Sequence, residues 1–151
     1  MDGCLACELT SGLRELPGGR IAETPRWVVE HCVGPLGVGT LIIKPKRHIT
    51  HISELDDSEA QELGPVLRRV CSALSELLEP EQIYATLWSH AGGTPGHIHW
   101  VLQPVPSERP GGLFGPHLQV AMFDQAELLP IPEVQAIAEN LRAILATESM
   151  E

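Results

Sequence analysis

No stretch of this 151-residue chain strings together enough apolar residues to cross a bilayer. The segment MDGCLACELTSG at the start has neither the basic flank nor the long apolar core of a secretory signal. These two absences set the expectation of a cytoplasmic protein without a membrane partner. Basic residues are scarce as well: ten Lys and Arg stand against twenty Asp and Glu, a formal net charge of -10. Nucleic acid and anionic membrane both attract a net basic field, so this balance argues against either as a partner. Cysteine is limited to Cys4, Cys7, Cys32 and Cys71, too unevenly placed for a disulfide framework. No internal repeat is visible. The length fits one domain, read here as 1–151, with the pattern least informative from 105 onward.

What is present reads as alternating short strands and two helices. RIAETPRWVVEHCV suggests two strands broken near Pro25, with Trp27, Val29 and His31 on one face and Val28, Glu30 and Cys32 on the other. TLIIKP reads as a third strand, closed by a proline that cannot donate to a ladder. Leu63, Val66, Leu67, Val70, Leu74, Leu77 and Leu78 recur at spacings of three and four, the stripe of an amphipathic helix. Ser58 with Gln61 makes a capping box at its start, and Gly64–Pro65 sets either its true beginning or a kink. QIYATLW and HIHWVLQ read as a strand pair joined by SHAGGTPG, and LQVAMF as one more strand after a long connection. A last helix begins near Pro132. The pattern predicts an α+β fold: a mostly antiparallel sheet with a central helix and a C-terminal helix.

Two constellations carry chemistry. In GGTPGHIHWVLQP, His97 and His99 alternate on an extended segment after a turn rich in Gly and Pro. Gly92, Gly93 and Gly96 let the backbone approach a ligand, while Ser89, His90 and Thr94 surround that approach with polar groups. Lys44, Lys46, Arg47, His48 and His51 form the one concentrated basic stretch, which would draw an anion against the overall charge. Together these parts suit a phosphate ester, because a neutral imidazole can attack phosphorus and split one displacement into two. The second constellation is Cys4-x-x-Cys7, half of a tetrahedral zinc site or a redox pair. The other half could come from His48 or His51 together with His97.

TLIIKPKRH, followed some fifty residues later by GGTPGHIHWVLQP, resembles the histidine-triad (HIT) superfamily of nucleotide hydrolases and transferases. The likeness runs from Cys4 to about Pro104. It implies a HIT-like fold with a five-stranded sheet, a homodimer whose sheets join, and a nucleotide or dinucleotide substrate. It also implies a covalent nucleotidyl intermediate on the middle His, which falls on His99. The zinc-bearing branch implies Cys4, Cys7, His48 and His97 as ligands of a structural zinc, with His51 the alternative to His48. The third triad position falls on Val101, which leaves Gln103, His90 or His117 to take its place. The acid that binds ribose falls near Cys32, with Glu30 on the same strand face as a substitute. The expected phosphate contacts are Ser89, Thr94 and Gln103. The competing expectation is a catalytically inactive nucleotide- or protein-binding module, favoured by Val101.

Overall fold

The computed structural model describes residues 3–147. Its elements are α1 (Leu5–Ser11), β1 (Arg20–Glu23), β2 (Trp27–His31), β3 (Leu41–Pro45), α2 (Asp57–Leu78) and β4 (Gln82–Leu87). They continue with β5 (His90–Ala91), β6 (Thr94–Pro95), β7 (Trp100–Val105), α3 (Gly115–Gln125) and α4 (Ile131–Thr147). Five strands form one sheet in the order β1-β2-β3-β7-β4, every neighbouring pair antiparallel. β5 and β6 form a separate two-stranded hairpin.

The period-2 alternation sorts the sheet residues onto two faces. Trp27, Val29, Leu41, Ile43 and Leu102 point to one side and meet Val66, Val70, Leu74, Ala138 and Leu141 from α2 and α4. Trp27 is fully buried, stacks edge-on against Trp100 at 5.6 Å, and donates its indole N–H to the Glu59 carbonyl at 3.0 Å. Burial of such side chains is worth about 1.5–3 kcal/mol each. This face is the core. The opposite face carries the row Arg20–Glu30–Ile42–Val101–Thr86, one residue from each strand in register. α1 lies over part of it: the Lys44 ammonium, buried on β3, donates to the Ala6 carbonyl at 2.8 Å and pairs with Glu30 at 2.6 Å.

Three local expectations are corrected. LQVAMF is helical, part of α3, because Leu118 and Gln119 turn one side of the segment into the protein while Val120 and Phe123 stay exposed. Alternation in a stretch that short does not separate the two periods. α2 begins two residues earlier than the Ser58/Gln61 box would place it. Its box is Asp56 with Glu59, the Asp56 carboxylate accepting the Glu59 N–H at 2.8 Å and Glu59 accepting the Asp56 N–H at 2.9 Å. The helix then runs through Pro65 without ending. Finally, His97 and His99 lie just before β7 rather than within it. There Ile98 donates to the Ile49 carbonyl at 2.9 Å, which keeps the segment extended beside the chain leaving β3.

Candidate active site and metal centre

Cys4 is the N-cap of α1 and Cys7 sits in its first turn, so the i, i+3 spacing sets both thiols on one side of the helix. That side faces His48 and His97. The four ligand atoms lie within 4.8 Å of one another. Cys7 Sγ is 3.3 Å from His48 Nδ1 and 3.4 Å from His97 Nδ1, and Cys4 Sγ is 4.0 Å from His97 Nδ1. Tetrahedral zinc with its usual bond lengths requires separations of about 3.3–3.8 Å between such ligands. The donor set therefore fits a closed Cys2His2 centre. Among the described residues no other such cluster forms, and His51 lies outside it, exposed at the cap of the short turn Ile52–Glu54.

His97 is held as a ligand would be. Its Nε2–H donates to the Pro45 carbonyl at 2.9 Å, which leaves the Nδ1 lone pair directed at the thiols. Burial, aided by the neighbouring His48 and Lys44 side chains, lowers its pKa to about 4, so the ring is neutral at ordinary pH. Burial and the adjacent Cys4 thiol push the Cys7 thiol up. A bound cation would reverse that penalty by taking the sulfur as thiolate.

The same segment sets the second imidazole. His99 is half-buried, its Nδ1–H donates to the His97 carbonyl at 3.0 Å, and its backbone N–H reaches Ser89 Oγ at 3.3 Å. Nδ1 is therefore occupied, and Nε2 is the nitrogen with a free lone pair. Beyond Ser89, β5 and β6 close on a two-residue turn in which Gly92 and Gly93 have φ of 58° and 84°. Both central residues lie in the left-handed region, the signature of a type I′ hairpin turn and a reason for the Gly-Gly pair. Gly96 donates to the Ser89 carbonyl at 2.6 Å and draws the base of this hairpin against the His99 segment.

The remaining candidates separate. Ser89 is beside His99, and Thr94 lies on the exposed hairpin with its hydroxyl donating to the Ala91 carbonyl at 2.8 Å. Gln103 is elsewhere: it is 2% exposed, its amide N–H groups go to the Leu36 carbonyl and Met122 Sδ, and its carbonyl accepts from Gln119 at 3.0 Å. No donor is left for a phosphate. The missing signal was α3, which covers this end of the face and which the strand reading of LQVAMF concealed. His90 and His117 are exposed on the hairpin and on α3. Glu30 is buried against Lys44, and Cys32 is buried with its sulfur accepting the Gly34 N–H at 3.2 Å. His31 is a core histidine: it donates from Nδ1 to the Cys32 carbonyl and accepts the Gly39 N–H at Nε2, both at 2.8 Å.

Fold and site define a class: an α+β protein that presents one imidazole, in a fixed tautomer, beside a Cys2His2 cluster braced against the same segment. Comparison with known proteins narrows it. The chain is 26% identical over 111 residues to the adenosine 5′-monophosphoramidase of Schizosaccharomyces pombe, covering 72% of this chain and 78% of that one. A zinc-bound histidine-triad protein from Mycobacterium smegmatis superposes with a TM-score of 0.70 at 21% identity, over 99% of this chain and 98% of that one. A hypothetical histidine-triad nucleotide-binding protein from Sulfolobus tokodaii superposes with a TM-score of 0.73 at 15% identity, over 95% and 93%. No family model matches. In fold the chain is similar to these solved histidine-triad proteins.

Proposed function

We propose that this protein is a nucleotide hydrolase or nucleotidyl transferase acting at an α-phosphate, with His99 as the nucleophile. The observation that carries the reading is the His99 Nδ1 contact to the His97 carbonyl, which leaves Nε2 as the attacking atom. Nε2 attacks the α-phosphorus as the bond to the leaving group breaks, and the electron pair departs with that group. The nucleotidyl-histidine then transfers its nucleotide to water or another acceptor, freeing Nε2. Likeness to a monophosphoramidase favours nucleotide phosphoramidates among the substrates, with dinucleoside polyphosphates beside them.

Ser89 and Thr94, at the base and tip of the hairpin, are the side-chain hydroxyls proposed for the phosphate oxygens. Cys4, Cys7, His48 and His97 would hold a structural zinc, which supplies a cross-link and takes no part in the chemical step. The cross-link matters because His97 has two roles: its ring faces the thiols and its carbonyl orients His99. A reducing compartment such as the cytoplasm suits the thiolates. β4 is an edge of the sheet, and we propose that a second copy joins along it in a homodimer.

A panel of nucleotide phosphoramidates and dinucleoside polyphosphates, with and without inorganic phosphate, tests the activity. Release of mononucleotide by the protein and its loss in His99→Ala, which still binds nucleotide, is the expected result. The second reading, a binding module without turnover, rests on Val101 in the place of the third imidazole. Tight nucleotide binding with no product from any substrate would select it.

A further inference from the structure

On the face opposite the core, one buried oxygen stands without a partner. Glu30 gives one carboxylate oxygen to Lys44, at 2.6 Å, while Oε1 is buried and has no hydrogen-bond donor among the described residues. Glu30 also forms part of a groove of about 380 Å³ between the end of α1 and β1, lined with Leu9, Gly12, Arg14, Leu16 and Arg20. That size falls in the range of about 300–1,000 Å³ usual for small-ligand sites. A buried acceptor without a donor is a standing cost, which a bound ligand's N–H or O–H would relieve.

The lining indicates the ligand's shape. Leu9 and Leu16 are apolar, Gly12 presents no side chain at φ of 78°, and Arg14 and Arg20 contribute planar guanidinium groups. Arg14 is paired with Glu8 at 2.6 Å; Arg20 is paired with Glu23 at 2.7 Å, a carboxylate it shares with Lys46, and also donates to the Thr10 carbonyl at 2.8 Å. Thr10 and Ser11 also line the groove, their hydroxyls already donating to the Ala6 and Glu8 carbonyls at 2.8 and 3.2 Å; apolar side chains, guanidinium groups and one unpaired carboxylate oxygen remain, a lining that suits a flat heterocycle with an N–H on its edge.

Placement agrees with the reaction site. Glu30 and Val101 are in register across β3, two strand spacings of about 4.8 Å apart, and His99 lies two residues before Val101. The resulting backbone separation, on the order of 12 Å, matches an extended nucleoside monophosphate with its phosphorus at His99. We propose that Glu30 Oε1 is the specificity-determining acceptor for a nucleobase N–H in this groove. This inference rests on the nucleotide reading above and adds the base-reading residue to it.

Calorimetric titration of the full-length, zinc-loaded protein separates the two. The probes are AMP against purine riboside 5′-monophosphate and GMP against IMP, pairs that differ by one exocyclic amino group, together with 2′-deoxy- and 3′-deoxy-AMP. Glu30 as base reader predicts a loss of tenfold or more on removing the amino group of the tighter-binding base. The deoxy analogues should stay within about twofold of AMP. In a Glu30→Leu/Lys44→Leu double variant, which removes the buried pair together, that tenfold difference should collapse while the amino-free analogue still binds. Retained zinc content shows that α1 is still docked in that variant. A loss confined to the deoxy analogues, or an amino-group difference that persists in the double variant, overturns the proposal. Binding of none of these nucleotides overturns the nucleotide reading beneath it.

Discussion

His97 and His31 are both buried neutral, and that state has a measurable consequence. Each pKa is below the ordinary histidine value of 6.5 because burial disfavours the charged ring, and for His97 it falls to about 4. Between those two values the unfolded chain binds the proton and the folded one does not, so acid favours unfolding. The contribution is complete above about pH 6.5 and is lost as pH falls to about 4. Urea midpoints of the metal-free protein should therefore drop steadily across that window; a flat profile would show that these rings are not held neutral. Val101 makes a second residue-level prediction. It is 6% exposed and in register with Ile42 and Thr86, so an imidazole there adds volume at a buried position. Val101→His should lower the unfolding free energy by about 1–3 kcal/mol through overpacking, read by urea denaturation. An equally stable variant would mean that the position is open to an imidazole after all.

At the level of elements, α2 offers the sharpest contrast between sequence and structure. Two N-cap candidates lie two residues apart, and local chemistry favours both; Asp56 prevails because Glu59 also accepts Arg47 at 2.7 Å and its backbone carbonyl anchors Trp27. Asp56→Ala should cost about 0.5–2 kcal/mol in urea unfolding and Ser58→Ala less than about 0.5, and the reverse order would contradict the assignment. The strands around the core were legible because alternation and turn residues agreed there, as at Pro25 and Pro45. The Cys2His2 grouping was legible in part, because C-x-x-C needs only a helical turn to align its thiols, whereas spacing left His48 and His51 as alternatives and the fold brings His48 to the pair. Gln103 and LQVAMF were not: what decides them is a tertiary contact, Gln119 against Gln103, that no local pattern encodes. Gln119→Ala should strand the buried Gln103 carbonyl at a cost of about 1–3 kcal/mol. An unchanged urea midpoint would count against that network.

For the whole molecule, the Cys2His2 cluster joins parts distant in sequence. α1 is seven residues long with none of its residues buried, so it cannot hold its own place by packing. Its moorings include Lys44 on the Ala6 carbonyl, Arg20 on the Thr10 carbonyl and the Cys2His2 cluster that links residues 4–7 to 48 and 97. On the zinc reading proposed above, a chelator should raise amide exchange over residues 4–12 and near His99 while the α2–α4 core stays protected. Unchanged exchange in those segments would make the cluster incidental. The central claim is nearer the chemistry: one nitrogen, His99 Nε2, becomes covalently bonded to the substrate's phosphorus. Acid-sparing quench of the protein during turnover of a nucleotide phosphoramidate, followed by peptide mass spectrometry, tests this directly. The account predicts one nucleotidyl group on the peptide bearing His99, absent from His99→Ala. Steady turnover with no adduct there, or an adduct on a different residue, would contradict it.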